Sequence, residues 1–368
     1  MNSIIKRHLG GLFTALGIIV ALMTLSAAKA GDEHNKRRIT QVVGGLHSPR
    51  GLAFGEGNTL YVSEAGTGAN DGAIIEIKDA MAPRPKIRTI LDGLPSAGTD
   101  GEFLGPAGIA VVGEGKHFAL YDIISLSPQE TTDPAFGNLL KINSHDQVQT
   151  VANVGDFDFK WTDDHKSLFP PDFPDANPYG VLAVHGHVYV TDAGANTLDE
   201  VMPDGSIRVL AFFPNTVFAD ATPTCVDEGP DGFLYIGTLA LVDSVFLGPS
   251  AKVYRLDPRR ANLAHPEMTP MTVWASGLYP INGCAFGRDG ALYVSQLFTN
   301  PAHDFGVVFS DPHGDVVKIP FAHPGSHTFL TGGALSFTGG VAVGPNGAVY
   351  VADGTAFVPG GSVVRIDP

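Results

Sequence analysis

Apolar residues fall in short alternating runs of strand length along this chain, and the runs share one phrase, P-x-G-φ-A-φ-G-x-x-G-x-φ-Y-V, where φ is apolar. The phrase recurs six times, with anchors at Gly51, Gly108, Gly180, Cys225, Gly283 and Gly340, 45 to 72 residues apart. Self-similarity at such a period marks a repeat architecture. Each copy reads as two strands joined by a tight turn such as Gly229-Pro230-Asp231-Gly232 or Gly344-Pro345-Asn346-Gly347. A third strand follows in each copy (AIIEIK, NLLKIN, TLDEVM, KVYRLD, DVVKIP, SVVRID). Fourth strands follow in five copies (KIRTILDGL, QVQTVANV, SIRVLAFFP, MTVWASGL, HTFLTGGAL), and the chain ends before a sixth. The segment Arg38 to Leu46 has the missing pattern and stands ahead of the first copy.

These elements predict an all-β, six-bladed β-propeller over residues 39–368, with four-stranded blades and the N-terminal strand closing the last one. Composition agrees: 45 Gly and 27 Pro exclude a helical bundle, and 44% hydrophobic residues supply a core. The net charge of −15 argues against nucleic acid, which needs a Lys/Arg face.

Residues 1–30 read as a secretory signal peptide, with basic Lys6 and Arg7, an apolar stretch from Leu9 to Leu25, and the small-residue site Ala28-Lys29-Ala30. Residues 31–38 are a linker, no later segment reads as a membrane span, and the mature protein is expected to be periplasmic or secreted. There Cys225 and Cys284, near the starts of equivalent strands in neighbouring blades, form either a disulfide or two buried thiols.

Strand alternation puts the loop entering strand one and the loop leaving strand two on the same face. The long connections lie there, including Asp122 to Gly137, Gly155 to Ala176, Leu239 to Ser250 and Leu297 to Gly314, so function is expected on that face. After each Tyr-Val pair stand Glu64, Asp122, Asp192, Thr238, Gln296 and Asp353; the carboxylates Glu64, Asp122, Asp192 and Asp353 either hold Ca²⁺ or another divalent cation or cap the following turn. The x of P-x-G is Arg50, Ala107, Tyr179, Thr224, Asn282 and Gly339, at the channel mouth. Arg50 suits a carboxylate or phosphate, Tyr179 offers a ring and a hydroxyl, and Asn282 and Gln296 offer amides. The insertion GDFDFKWTDDHKSLFPPDFPDANPYG interleaves acids with aromatics, Trp161 among them, and reads as a lid loop or as a loop pinned to the blades. His185 and His187 sit in a surface turn on the other face, and no zinc spacing, nucleophile elbow, Walker loop or dinucleotide fingerprint occurs.

The stretches SPRGLAFGEGNTLYVSEAGTG, NPYGVLAVHGHVYVTDAGANTL and GGVAVGPNGAVYVADG resemble the ScyD/ScyE family of exported propellers, over about residues 39–368. The repeat phrase alone is similar to NHL-repeat, gluconolactonase-like and streptogramin-lyase propellers. The resemblance implies an extracytoplasmic propeller accessory to secondary-metabolite biosynthesis. Two functions are in contention. One is a binding protein for a small aromatic or lactone-like metabolite on the long-loop face, a face also open to a protein partner. The other is a divalent-metal-dependent hydrolase or lyase resembling gluconolactonase or strictosidine-synthase propellers, with Asp192, Asn282 and Gln296 as the residues expected to matter.

Overall fold

The computed structural model describes residues 38–99, 101–169, 174–218, 220–300 and 303–367; the signal segment lies outside the described residues. Six four-stranded antiparallel sheets form the blades of a six-bladed propeller. Blade one is Pro49–Phe54, Leu60–Glu64, Gly72–Lys78 and Lys86–Leu94. Blades two to five begin at Pro106–Val112, Pro178–Val184, Pro223–Glu228 and Ile281–Phe286. Blade six is Val341–Val343, Val349–Asp353 and Gly361–Ile366, and its outermost strand is Ile39–Leu46, which pairs antiparallel from Ile39 opposite Ile366 to Leu46 opposite Gly361. The ring thus closes with strands from both ends of the chain. In blade five the fourth strand shrinks to Thr328–Phe329, because the Gly332-Gly333 pair at positive φ turns the chain away.

Strand order follows burial. Leu60–Glu64, the second strand of blade one, is buried along its whole length, whereas the outer Lys86–Leu94 is mostly exposed. The inner strands crowd the axis, which explains the repeat's glycine: a Cβ on Gly51 would lie 2.3 Å from the Ala107 carbonyl oxygen, and one on Gly108 would lie 2.3 Å from that of Tyr179. Cys225 stands at this position in blade four and is disulfide-bonded to Cys284 on the inner strand of blade five, with 5.8 Å between the Cα atoms.

The long-loop face carries the short helices Pro128–Thr131, Val154–Asp164, Leu241–Leu247 and Phe305–Ser310. The second of these begins the acidic-aromatic insertion, which starts as a helix and not as a loop. The Asn153 side chain caps it by accepting from the Asp156 N–H at 2.7 Å, and Lys160 pairs with Asp156 one turn away. Asp172 and Phe173 of the insertion lie outside the described residues. No helix among the described residues is long and apolar enough to cross a membrane.

Candidate functional site

The P-x-G geometry places one side chain per blade at the top of the axis, and four of these are polar and buried: Arg50, Tyr179, Thr224 and Asn282. Three of them tie one blade to another. Arg50 Nη1 donates to the Tyr179 hydroxyl at 3.2 Å, Thr224 Oγ1 to the Ile281 carbonyl at 2.6 Å, and Asn282 Nδ2 to the Thr338 carbonyl at 2.9 Å. The guanidinium also sits 5.8 Å from the centre of the Tyr179 ring.

Above these groups is a cavity of about 630 Å³, measured out to its opening to solvent. Its floor is Arg50, Tyr179, Thr224 and Asn282, and its walls are apolar, with Leu239, Leu241 and Leu297 on one side and Phe309 and Phe357 on another. The two rings stack with centroids 4.7 Å apart. Apolar walls over a few convergent polar groups are the usual build of a small-molecule site. Below the floor the axis narrows to a channel lined by the inner strands, with Cys225 and Cys284 in its wall.

One wall residue was not legible in the repeats. The strands Ala97–Thr99 and Glu102–Leu104 form a small hairpin ahead of blade two, and it is strapped across the mouth. Arg50 Nη2 donates to the Phe103 carbonyl at 2.6 Å, and the Phe357 N–H donates to the Gly101 carbonyl at 2.7 Å. Between these anchors Glu102 enters the cavity wall. Its Oε2 is buried with no hydrogen-bond partner. Burial raises its pKa and the charge of Arg50 opposes the rise.

The residues at the end of strand two behave differently. Glu64 accepts from the His47 N–H at 2.6 Å, Gln296 from that of Tyr279 at 2.8 Å, and Asp353 from that of Ser336 at 2.7 Å. Asp192 accepts from the N–H groups of Asn177, Gly194 and Ala195. Each of these side chains fastens the loop that enters strand one of its own blade, so they stay in separate blades instead of meeting on the axis. Asp122 instead accepts from the Ser63 hydroxyl of blade one. Its other oxygen has no partner, and burial pushes its pKa up to about 8. Among the described residues no three His, Cys, Asp or Glu side chains are arranged to hold a metal ion.

Two expected ligand contacts are therefore placed elsewhere. Gln296 faces its own loop and is not part of the cavity wall. Trp161 stacks on His165, with ring centroids 4.3 Å apart, and packs toward Phe212 of blade three, pinning its helix to the blade. The same helix buries Asp158 against Asp192 and Asp199, all three fully buried. No N–H or hydroxyl donor reaches either oxygen of Asp158, whose own proton bridges to Asp192 and Asp199. Burial and mutual repulsion hold Asp158 and Asp199 well above the ordinary carboxylate range.

No protein-family model matches the chain, and no curated protein matches it. Solved structures do. A luciferin-regenerating enzyme is 12% identical with a TM-score of 0.54, the match covering 90% of this chain and 95% of that one. A putative oxidoreductase (glucose dehydrogenase) from Thermus thermophilus is 16% identical with a TM-score of 0.55, covering 90% and 100%. A streptogramin B lyase is 11% identical with a TM-score of 0.47, covering 90% and 97%. At these identities the likeness is one of fold.

Proposed function

We propose that this chain is an exported propeller of the ScyD/ScyE type that binds a small metabolite with an aromatic or lactone-like body in the mouth cavity, as an accessory to secondary-metabolite biosynthesis. The observation that carries the reading is the convergence of Arg50, Tyr179, Thr224 and Asn282 beneath the apolar wall of Phe309, Phe357 and the leucines. A flat apolar body stacks on the rings, while acceptor atoms reach the guanidinium. The Cys225–Cys284 bond supports export, since such bonds persist in oxidising compartments.

The alternative, a hydrolase or lyase using a divalent cation, needs a donor set that this face does not assemble. Glu102 is the carboxylate in the cavity wall, joined there by the amide side chains Asn177 and Asn282, and the strand-two carboxylates Glu64, Asp192 and Asp353 are engaged with backbone N–H groups. Chelation with EDTA is accordingly expected to leave the melting temperature and ligand affinity unchanged. A stoichiometric divalent ion lost together with stability would favour the alternative.

Titration calorimetry with coumarin, an aromatic lactone, tests the reading. Binding is expected in the mature protein, and Arg50→Met is expected to weaken it about tenfold or more, since the ligand's acceptor loses a charged donor. Trp161→Phe, which alters a ring outside the cavity wall, is expected to change affinity less than about twofold. Equal losses in both variants would contradict this site.

A further inference from the structure

The cavity wall holds a guanidinium and a carboxylate that do not close on each other. Arg50 spends two N–H groups on the Tyr179 hydroxyl and the Phe103 carbonyl, and a guanidinium has five. Glu102 lines the same cavity, is carried on the hairpin that Arg50 itself anchors, and makes no ion pair with it. A buried carboxylate oxygen without a donor is costly, and folded proteins rarely leave one so. The hairpin that carries Glu102 is fixed from both sides, by Arg50 at the Phe103 carbonyl and by Phe357 at that of Gly101. Glu102 itself lines this cavity, whose walls are otherwise largely apolar and which opens to solvent, as a ligand position would.

Resting on the cavity reading above, we infer that Glu102 is a specificity-determining residue: the ligand presents a hydrogen-bond donor to its carboxyl group next to an acceptor for Arg50. An adjacent donor and acceptor on a flat apolar body describes the edge of a cis-amide, as in an aromatic lactam, or of an ortho-hydroxy carbonyl. The carboxyl group discriminates because a ligand lacking the donor leaves it desolvated and unpaired. Burial raises the Glu102 pKa, and Arg50 on the same cavity opposes the rise.

Three probes of nearly the same shape separate the outcomes. Quinolin-2(1H)-one carries N–H beside C=O, coumarin has oxygen in place of the N–H, and 1-methylquinolin-2-one has the N–H blocked. The wild-type protein is expected to bind quinolin-2(1H)-one about ten- to a hundredfold more tightly than the other two. Glu102→Leu should erase that preference, and Glu102→Gln, which keeps a neutral oxygen, should retain part of it, with circular dichroism verifying that both variants fold. If the wild type binds all three equally, or if Glu102→Leu keeps the preference, the role of Glu102 is overturned while the cavity reading stands. If none of the three binds, the cavity reading itself fails.

Discussion

Removing Ile39–Leu46 is expected to destabilise the protein by roughly 3–6 kcal/mol, the worth of the two side chains Val43 and Leu46 that the strand buries, counted at 1.5–3 kcal/mol each. They pack in one cluster with Leu52 of blade one and Val363 of blade six, so the loss reaches both sides of the closure. The deletion also bares the edge of Gly361–Ile366, whose backbone groups otherwise pair with Ile39–Leu46. An unpaired edge recruits other strands, so the truncated chain should self-associate as well as unfold at lower urea. Adding a peptide of residues 39–46 in excess should restore part of the midpoint. A truncated chain as stable as the intact one would show that the ring does not depend on this strand. Truncation that starts the chain at Gly31, ahead of this strand, should have no such effect.

The second large effect is on pH dependence, and the buried carboxyls set its sign. Asp122 releases its proton near the ordinary 3.8 when unfolded and only at about 8 when folded. Between those values the folded state holds the extra proton, so stability falls as pH rises through the window and levels off above it. For one group shifted by about four units the change is on the order of 5 kcal/mol. Asp158 and Asp199, raised by burial and by each other, act in the same direction. Carboxylates whose pKa is lowered, such as Asp71 through its bonds from Thr67 and Asp156 through Lys160, have the opposite sign. Their contribution is lost only as pH falls below the ordinary range. The melting temperature should therefore peak in mildly acidic buffer and decline toward pH 9. Asp122→Asn keeps the acceptor for Ser63 without the charge and should flatten much of the decline. Asp158→Asn brings two donors to the oxygens of Asp192 and Asp199 and should raise the melting temperature at pH 8. A wild-type melting temperature that climbs from pH 5 to pH 9, or an Asp122→Asn variant with an unchanged slope, would contradict buried neutral carboxyls.

The fold was readable because each blade repeats the same local problem. A glycine must pass close to the neighbouring inner strand, as Gly51 and Gly108 do, and the recurrence of that constraint marks the blades. The x of P-x-G was readable for the same reason, and Arg50, Tyr179 and Asn282 do share a cavity. Equivalent positions in the repeat need not converge in space. Glu64, Asp192, Gln296 and Asp353 occupy the same place in the repeat because each performs the same single-blade task of fastening a loop. Glu102 and Asp158 could not be found this way, because both lie between repeats, and periodicity says nothing of where an insertion folds back. The Asn153 cap ahead of Asp156 is the local signal by which the helix of the insertion could have been read.

Crystallography of the mature protein with quinolin-2(1H)-one tests the central claim most directly, because it shows where the molecule sits. The account predicts the bicyclic ring against Phe309 and Phe357, its carbonyl oxygen within hydrogen-bond distance of Arg50 and its N–H on the Glu102 carboxyl group. A molecule bound outside this cavity, with the mouth occupied by water alone, would contradict it.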